Sequence, residues 1–257
     1  MECVAVDWSG AVTGAASRIW IASATAGVLT SLVAPGSRAA VRDALLARRE
    51  DPAPCLVGLD FAFGMPAWFV ASRGWREINA LWSAARDDGE SWLAECHAPF
   101  WGRPGTRRPH DVERGLRETE RAWSAAQKPK SVFQVGGAGS VGTGSVRGMP
   151  MLLALREAGW AVWPFDAPTS HTLVEIYPRS FTGPVVKSSG TARAAHLAQR
   201  RAHIAVEFID AMIASEDAFD AGLSAIGMSH GASCASLPIV TDPVSRIEGR
   251  IWVPASD

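Results

Sequence analysis

Val4-Ala5-Val6-Asp7-Trp8 and Leu56-Val57-Gly58-Leu59-Asp60-Phe61 are two almost continuous apolar runs, each ending on an aspartate followed by an aromatic residue. Short apolar runs bounded by turn signals read as strands buried on both faces. A carboxylate at the exit of such a strand stands at the edge of a sheet, where ligands and metal ions bind in α/β proteins. Core packing asks for no acid there. Asp is also a favoured turn residue, so either aspartate alone would serve as a turn cap; the repetition points to a pair that converges if the strands are neighbours.

Between these runs the pattern fixes the strand order. Gly10 and Gly14 mark a turn, and Arg18 to Ser23 and Val28 to Val33 read as strands joined at Ala26-Gly27, an antiparallel meander with the first run. Ser37 then caps a helix running to Arg49, with Val41, Ala44 and Leu45 at helical spacing and Arg42, Asp43, Arg48 and Arg49 facing water. Pro52 and Pro54 end that helix ahead of the second aspartate-terminated strand. The order is strand, strand, strand, helix, strand.

Residues 62–130 are less regular and carry Trp68, Trp75, Trp82, Trp92, Trp101 and Trp123, with helices expected near 74–86 and 111–126. Strand signals there are too few for a second sheet. The chain therefore reads as one domain, 1–257, with a largely helical insertion over about 62–146. A glycine-rich stretch, 136–148, precedes a helix expected over 149–158. Its backbone N–H groups suit either a phosphate cradle or a tight loop at a site's rim, but it lacks the lysine of a P-loop and does not fit the dinucleotide fingerprint. Trp160 to Phe165 and Thr172 to Tyr177 read as short strands, the second carrying Glu175. Ala195 to Met212 has the clearest helical stripe, with Leu197, Ile204, Ala205, Phe208, Ile209 and Met212. A further helix starts at Ser215, and Ile247 to Val253 reads as a late strand.

The 257 residues, 47% hydrophobic and 20% charged, are those of a globular chain with a sizeable core. With 26 acidic and 25 basic side chains, no global field draws the protein to nucleic acid or to an anionic membrane. Local charge is less even: residues 103–130 hold eight basic side chains against four acidic ones. A phosphate backbone can lie along such a segment, with Trp101 or Trp123 stacking a base, although i,i+4 pairs such as Glu113 with Arg117 give the same pattern on a solvated helix. Cys3, Cys55, Cys96 and Cys234 are scattered and read as small buried hydrophobes in a reducing compartment. His97, His110, His196 and His203 show no metal-ligand spacing. With no signal peptide or membrane-spanning run legible, the expected address is the cytoplasm. Ser9, Ser140 and Ser145 invite a serine-hydrolase reading, but there is no G-x-S-x-G elbow.

Asp7, Asp60, Glu175, Asp217 and Asp220 are the chemistry-bearing set. Hard cations such as Mg²⁺ or Mn²⁺ take several oxygen ligands, and carboxylates supply both ligand and compensating charge. Two such ions activate a water and stabilise the leaving oxygen of a phosphodiester; Asp7, on a rigid strand, is the expected bridge between them. Asp217 and Asp220, three residues apart, share a helical face, although acids in a first helical turn are also favoured by the macrodipole alone. Glu175 also fits the outward position of an alternating strand.

These residues carry a family resemblance. Val6-Asp7-Trp8-Ser9-Gly10, Gly58-Leu59-Asp60, Glu175-Ile176-Tyr177-Pro178 and Asp217-x-x-Asp220-Ala221, in that order, resemble domain-of-unknown-function family 429, a predicted nuclease group with a ribonuclease H-like fold. The segment 134–150 also resembles its bacterial members. The resemblance covers most of the chain and implies a mixed five-stranded sheet with acids on the first and fourth strands. As in the RuvC resolvase arrangement, a final helix would supply an acidic pair; Glu175 has no simple counterpart there. The implied activity is metal-dependent phosphodiester hydrolysis, with Asp7, Asp60, Glu175 and Asp220 catalytic, Asp217 an additional ligand, and nucleic acid as substrate. Two other readings share the strand order: an ATP-using phosphotransferase of the actin and sugar-kinase type, which needs a second copy of the core, and a non-catalytic nucleic-acid-binding module.

Overall fold

A computed structural model describes residues 1–124, 128–137, 139–230 and 237–254. The chain is an α/β protein. Its strands are β1 (Glu2–Asp7), β2 (Trp20–Thr25), β3 (Val28–Val33), β4 (Cys55–Leu59), β5 (Ala161–Val162) and β6 (His171–Glu175). Its helices are α1 (Arg38–Glu50), α2 (Ala67–Ser72), α3 (Ile78–Glu95), α4 (Glu118–Arg121), α5 (Gly142–Glu157), α6 (Arg179–Thr182), α7 (Gly190–Ala198), α8 (Val206–Ala214), α9 (Glu216–Ser229) and α10 (Ser245–Glu248). Two compact units divide them: residues 1–60, 168–238 and 252–257 form the first, and residues 61–167 and 239–251 the second.

The first unit holds a mixed sheet in the order β3-β2-β1-β4-β6. β1, β2 and β3 are antiparallel neighbours, and β1, β4 and β6 run parallel. The hairpin between β2 and β3 turns on Ala26 and Gly27, both at positive φ (49° and 80°), as a two-residue turn matched to strand twist requires. Cys3 to Val6 and Cys55 to Leu59 are buried throughout, which is why their sequences are continuous apolar runs rather than alternating ones. α9 packs on β1 and β2. At Gly58 a Cβ would come within 2.7 Å of both Ile176 and Met228, so glycine is what lets α9 lie close to the middle of β4. Ser37 caps α1 by accepting a hydrogen bond from the Ala40 N–H at 3.0 Å.

The single helix expected over 195–212 is instead two. α7 ends at Ala198, a short 3-10 turn covers Arg201–His203, and α8 begins at Val206. Arg193 of α7 is buried and donates from Nε to the carbonyls of Met212 and Ile213, at 3.2 and 3.1 Å, at the end of α8. Those last carbonyls have no intrahelical partner, so the guanidinium ties the two helices back to back. Of the apolar stripe, Leu197, Ile204 and Met212 are buried, Phe208 and Ile209 are half-buried and Ala205 is exposed.

The second unit contains α2 to α5, β5 and α10. α3 packs against α5 through Gly89, where a Cβ would stand 2.8 Å from Val146. Phe69 lies among Trp75, Trp92, Phe100 and Phe133, with centroids 5.2–6.4 Å apart. Phe69, Phe100 and Phe133 are core, Trp75 and Trp92 half-buried beside them, and Phe69 meets the other four edge to face as aromatic quadrupoles favour. Three expectations fail here. The helix expected over 111–126 is reduced to a 3-10 turn, Glu113–Gly115, and the single turn α4, because Arg117 turns inward; 125–127 lie outside the described residues. Its guanidinium, 1% exposed, bonds Glu120 at 2.7 Å and the Glu248 carbonyl at 2.9 Å. The strand expected over 247–253 gives way to the turn α10, whose buried Glu248 carboxylate accepts from Ala67 N–H at 2.7 Å and Glu118 N–H at 2.6 Å.

The third concerns the glycine-rich stretch. α5 starts at Gly142, not near 149, so much of that stretch is helix rather than loop; Ala138 lies outside the described residues. Glycine is needed for close packing: a Cβ at Gly142 would stand 2.2 Å from the Val132 carbonyl oxygen, and one at Gly148 would stand 2.6 Å from the Phe61 ring. Because the obstacle at Gly142 is backbone, Gly142→Ala is expected to destabilise the protein by about 1–3 kcal/mol, read as a lower urea midpoint.

Candidate active site

Parallel strands β1, β4 and β6 end on the same edge of the sheet, and their register puts their last residues side by side. Leu59 pairs with Val6 on one side and Glu175 on the other. The Asp60 N–H continues the ladder one step further, donating to the Val6 carbonyl at 3.1 Å. Asp7 and Asp60 are therefore neighbours at the carboxyl edge. Side chains alternate along a strand. Asp7 and Asp60 consequently share the face of Ala5 and Gly58, the face on which Met228 of α9 lies.

α9 brings the acids of its first turns to this place. Ser215 caps it, accepting from the Ala218 N–H at 3.2 Å. Asp220 is 7% exposed, Asp217 half-buried. The loop between α6 and α7 adds Lys187, whose ammonium donates to Asp220 Oδ2. Among the described residues Asp220 Oδ1 has no hydrogen-bond partner, although it is buried.

The electrostatics follow from crowding acids in a dry place. Burial, then the charges of Asp60, Asp220 and Asp217, push the Asp7 carboxyl well above the usual carboxylate range, with Lys187 pulling the other way. Asp60 is pushed up to about 8 by burial and the Asp220 charge, against Lys187, with Glu175 and Asp217 adding to it. Burial also raises Asp220 in spite of the Lys187 ammonium, and burial with the Asp220 charge raises Asp217. Burial works against the charged form of Lys187, but the charge and hydrogen bond of Asp220, with Asp60 and Asp7, outweigh it and hold its pKa above the ordinary value. Like charges in a low dielectric cannot all ionise without a compensating cation.

Thus Asp7, Asp60, Asp217 and Asp220 come together. Glu175 stands apart: in register with Leu59 and Val6, it points to the opposite face of the sheet, though its charge reaches Asp60. Its backbone carbonyl accepts from the Trp252 N–H at 2.8 Å. Sequence reasoning missed Lys187. A signal existed: the chain has three lysines, Lys128, Lys130 and Lys187, every other basic side chain being arginine, so a lone lysine marks a place where a compact, mobile charge is used.

The donor set is all carboxylate oxygen, the chemistry of a hard divalent cation, and the buried unpartnered Oδ1 of Asp220 is the kind of atom such an ion would satisfy. As the side chains stand, no group of three or more His, Cys, Asp or Glu among the described residues is disposed to hold an ion; Lys187 engages an oxygen that an ion would use.

In the basic segment 103–130, part of the second unit, four of the eight basic side chains are engaged. Arg117 is buried with Glu120, Lys128 donates to both oxygens of Glu113 at 2.9 Å, and Arg114 and Arg108 lie over the rings of Trp68 and Trp101 at 4.7 and 5.6 Å. Cys3, Cys55 and Cys96 are buried; Cys234 falls outside the described residues. Among the described residues no helix is long and apolar enough to cross a membrane. No protein-family model, curated protein or solved structure matches the chain.

Proposed function

We propose that this protein is a divalent-metal-dependent phosphodiesterase acting on nucleic acid, built on a ribonuclease H-like sheet. The observation that carries the reading is the convergence of Asp7, Asp60 and Asp220 from two parallel strand ends and a helix, with a buried carboxylate oxygen left unpartnered. Order and spacing of the acids, and their resemblance to domain-of-unknown-function family 429, support it.

Asp7, Asp60 and Asp220 would hold Mg²⁺ or Mn²⁺, and Asp217, half-buried at the mouth of the set, would complete the shell. Glu175 would contribute charge from the other face of the sheet rather than an oxygen ligand. When bound, such ions activate water and stabilise the leaving oxygen. The protein's own part is positional: β1 and β4 fix the two aspartates by ladder hydrogen bonds, and α9 presents Asp220 from a capped, buried helix. The actin and sugar-kinase reading is less well supported, because it needs a second three-stranded meander and the only strand described in the second unit is β5.

The test is cleavage of single-stranded, duplex and branched DNA and of RNA, with Mn²⁺ or Mg²⁺ and with EDTA. Asp7→Asn is expected to lower the metal-dependent rate by more than the roughly 10–100-fold that loss of an outer-shell partner costs. Equal rates in the two proteins would remove Asp7 from the chemistry. Binding of nucleic acid that is indifferent to EDTA, with no cleavage of any substrate, would point to the non-catalytic module.

A further inference from the structure

Lys187 reaches the carboxylates from a loop that is itself pinned. Arg179 donates from Nη1 to the carbonyls of Gly183 and Val185, both at 2.8 Å, and the Arg193 guanidinium donates to the carbonyl of Lys187 itself. Two arginines thus anchor the backbone ahead of the lysine and at the lysine itself. The ammonium sits at the end of a flexible four-carbon stem whose side chain is 24% exposed, against 10% for Asp220. The lysine side chain is therefore partly exposed to water while its ammonium bonds a buried acid.

We infer that Lys187 is a tethered counter-cation: its ammonium neutralises the Asp7, Asp60 and Asp220 cluster in the metal-free protein and must leave Asp220 Oδ2 for a divalent ion to be held there. Two observations carry this. Lys187 is bonded to the cluster through Asp220. The bond takes one oxygen of Asp220 and leaves the other buried without a partner. Lysine suits the task because its ammonium is compact and rotatable, where a guanidinium fork would lock onto the carboxylate at two points. The inference rests on the metal reading above and adds to it that lysine and metal are alternatives at one position, so that Lys187 sets how much free metal the site requires.

The experiment is calorimetric titration of Mn²⁺ into wild type, Lys187→Met and Lys187→Arg, with thermal melts of each in EDTA and in saturating Mn²⁺. Lys187→Met keeps the length of the stem and removes the competitor. It is expected to bind Mn²⁺ at least about tenfold more tightly, the factor corresponding to 1.4 kcal/mol. In EDTA it should melt below wild type, because the acids have lost their cation, and Mn²⁺ should raise its melting temperature by more than it raises that of wild type. If Lys187→Met does not fold in EDTA, refolding that depends on Mn²⁺ is the same result in stronger form. Lys187→Arg, which keeps the charge, should bind Mn²⁺ no more tightly than wild type. Should wild type bind Mn²⁺ and Lys187→Met bind it equally or more weakly, the lysine is no competitor and the inference falls, while the metal site stands. If neither protein binds Mn²⁺, the metal reading fails and the inference goes with it.

Discussion

Raising the pH from about 4 to about 8 is expected to destabilise the metal-free protein. The sign follows from proton binding. The carboxyl of Asp60 titrates near 3.8 when exposed and at about 8 in the folded chain, and Asp7, Asp217 and Asp220 are displaced in the same direction. Between those limits the folded state holds more protons than the unfolded state, so stability is greatest at the acidic end and is lost as the pH rises through the folded-state values. Each such carboxyl contributes a slope of up to about 1.4 kcal/mol per pH unit. Lys187, displaced upward, stays charged throughout this window and limits the loss without cancelling it. Urea midpoints at pH 5 and pH 8 in EDTA should differ accordingly. With saturating Mn²⁺ the slope should vanish or reverse, since the ion binds the deprotonated acids. Midpoints that do not move in EDTA would mean that the acids are not crowded as described.

Glu120→Gln should cost about 3–5 kcal/mol, the penalty for removing one partner of a buried ion pair. Arg117 and Glu120 are 1% and 2% exposed. The Glu120 carboxylate accepts from the Arg117 guanidinium at 2.7 Å and from the Arg117 backbone N–H at 2.5 Å. Neutralising it takes away the carboxylate bonded to the buried guanidinium, which keeps its bond to the Glu248 carbonyl. Glu248 shares the damage, because its carboxylate holds the starts of α2 and α4 through Ala67 and Glu118. A denaturant titration of Glu120→Gln gives the figure. A double variant, Arg117→Met with Glu120→Gln, should recover part of the loss, since the unpaired charge is gone.

Much of the fold was legible where one residue type had one physical reason to be present. The runs ending on Asp7 and Asp60 are apolar because both sheet faces are covered, Ser37 is a cap, and Ala26-Gly27 supplies two positive φ values. Legibility failed where a distant partner decides the local structure. The stripe from Leu197 to Met212 fits one helix or two equally well, and what divides it is Arg193 reaching the carbonyls at the far end of α8. Arg117 sat in a segment that looked like an amphipathic basic helix, and its inward turn is set by Glu248, remote in the chain. The four aspartates of the site could be named from sequence because each ends a strand or opens a helix. The position of Glu175 could not, since only the register with Leu59 tells which face it occupies. The rarity of lysine singles out Lys187 but not its partner, which belongs to another element, and nothing adjacent in sequence announces an acid.

β4 and β6 are parallel, so the chain between them must cross over from one end of the sheet to the other, and here that crossing carries all of residues 61–167. Pairing across so long an excursion is slow compared with the pairing of β1, β2 and β3, which is nearly local. Asp7 and Asp60, closer in the chain to each other than to Asp220, are expected to meet during folding before Asp220 joins them. The piece of chain that delivers Asp220, residues 168–238, is also the piece that delivers Lys187. The third acid is therefore expected to arrive with its counter-charge on the same stretch of chain, sparing the nascent sheet edge a stage at which three buried carboxylates face one another with no positive charge at hand.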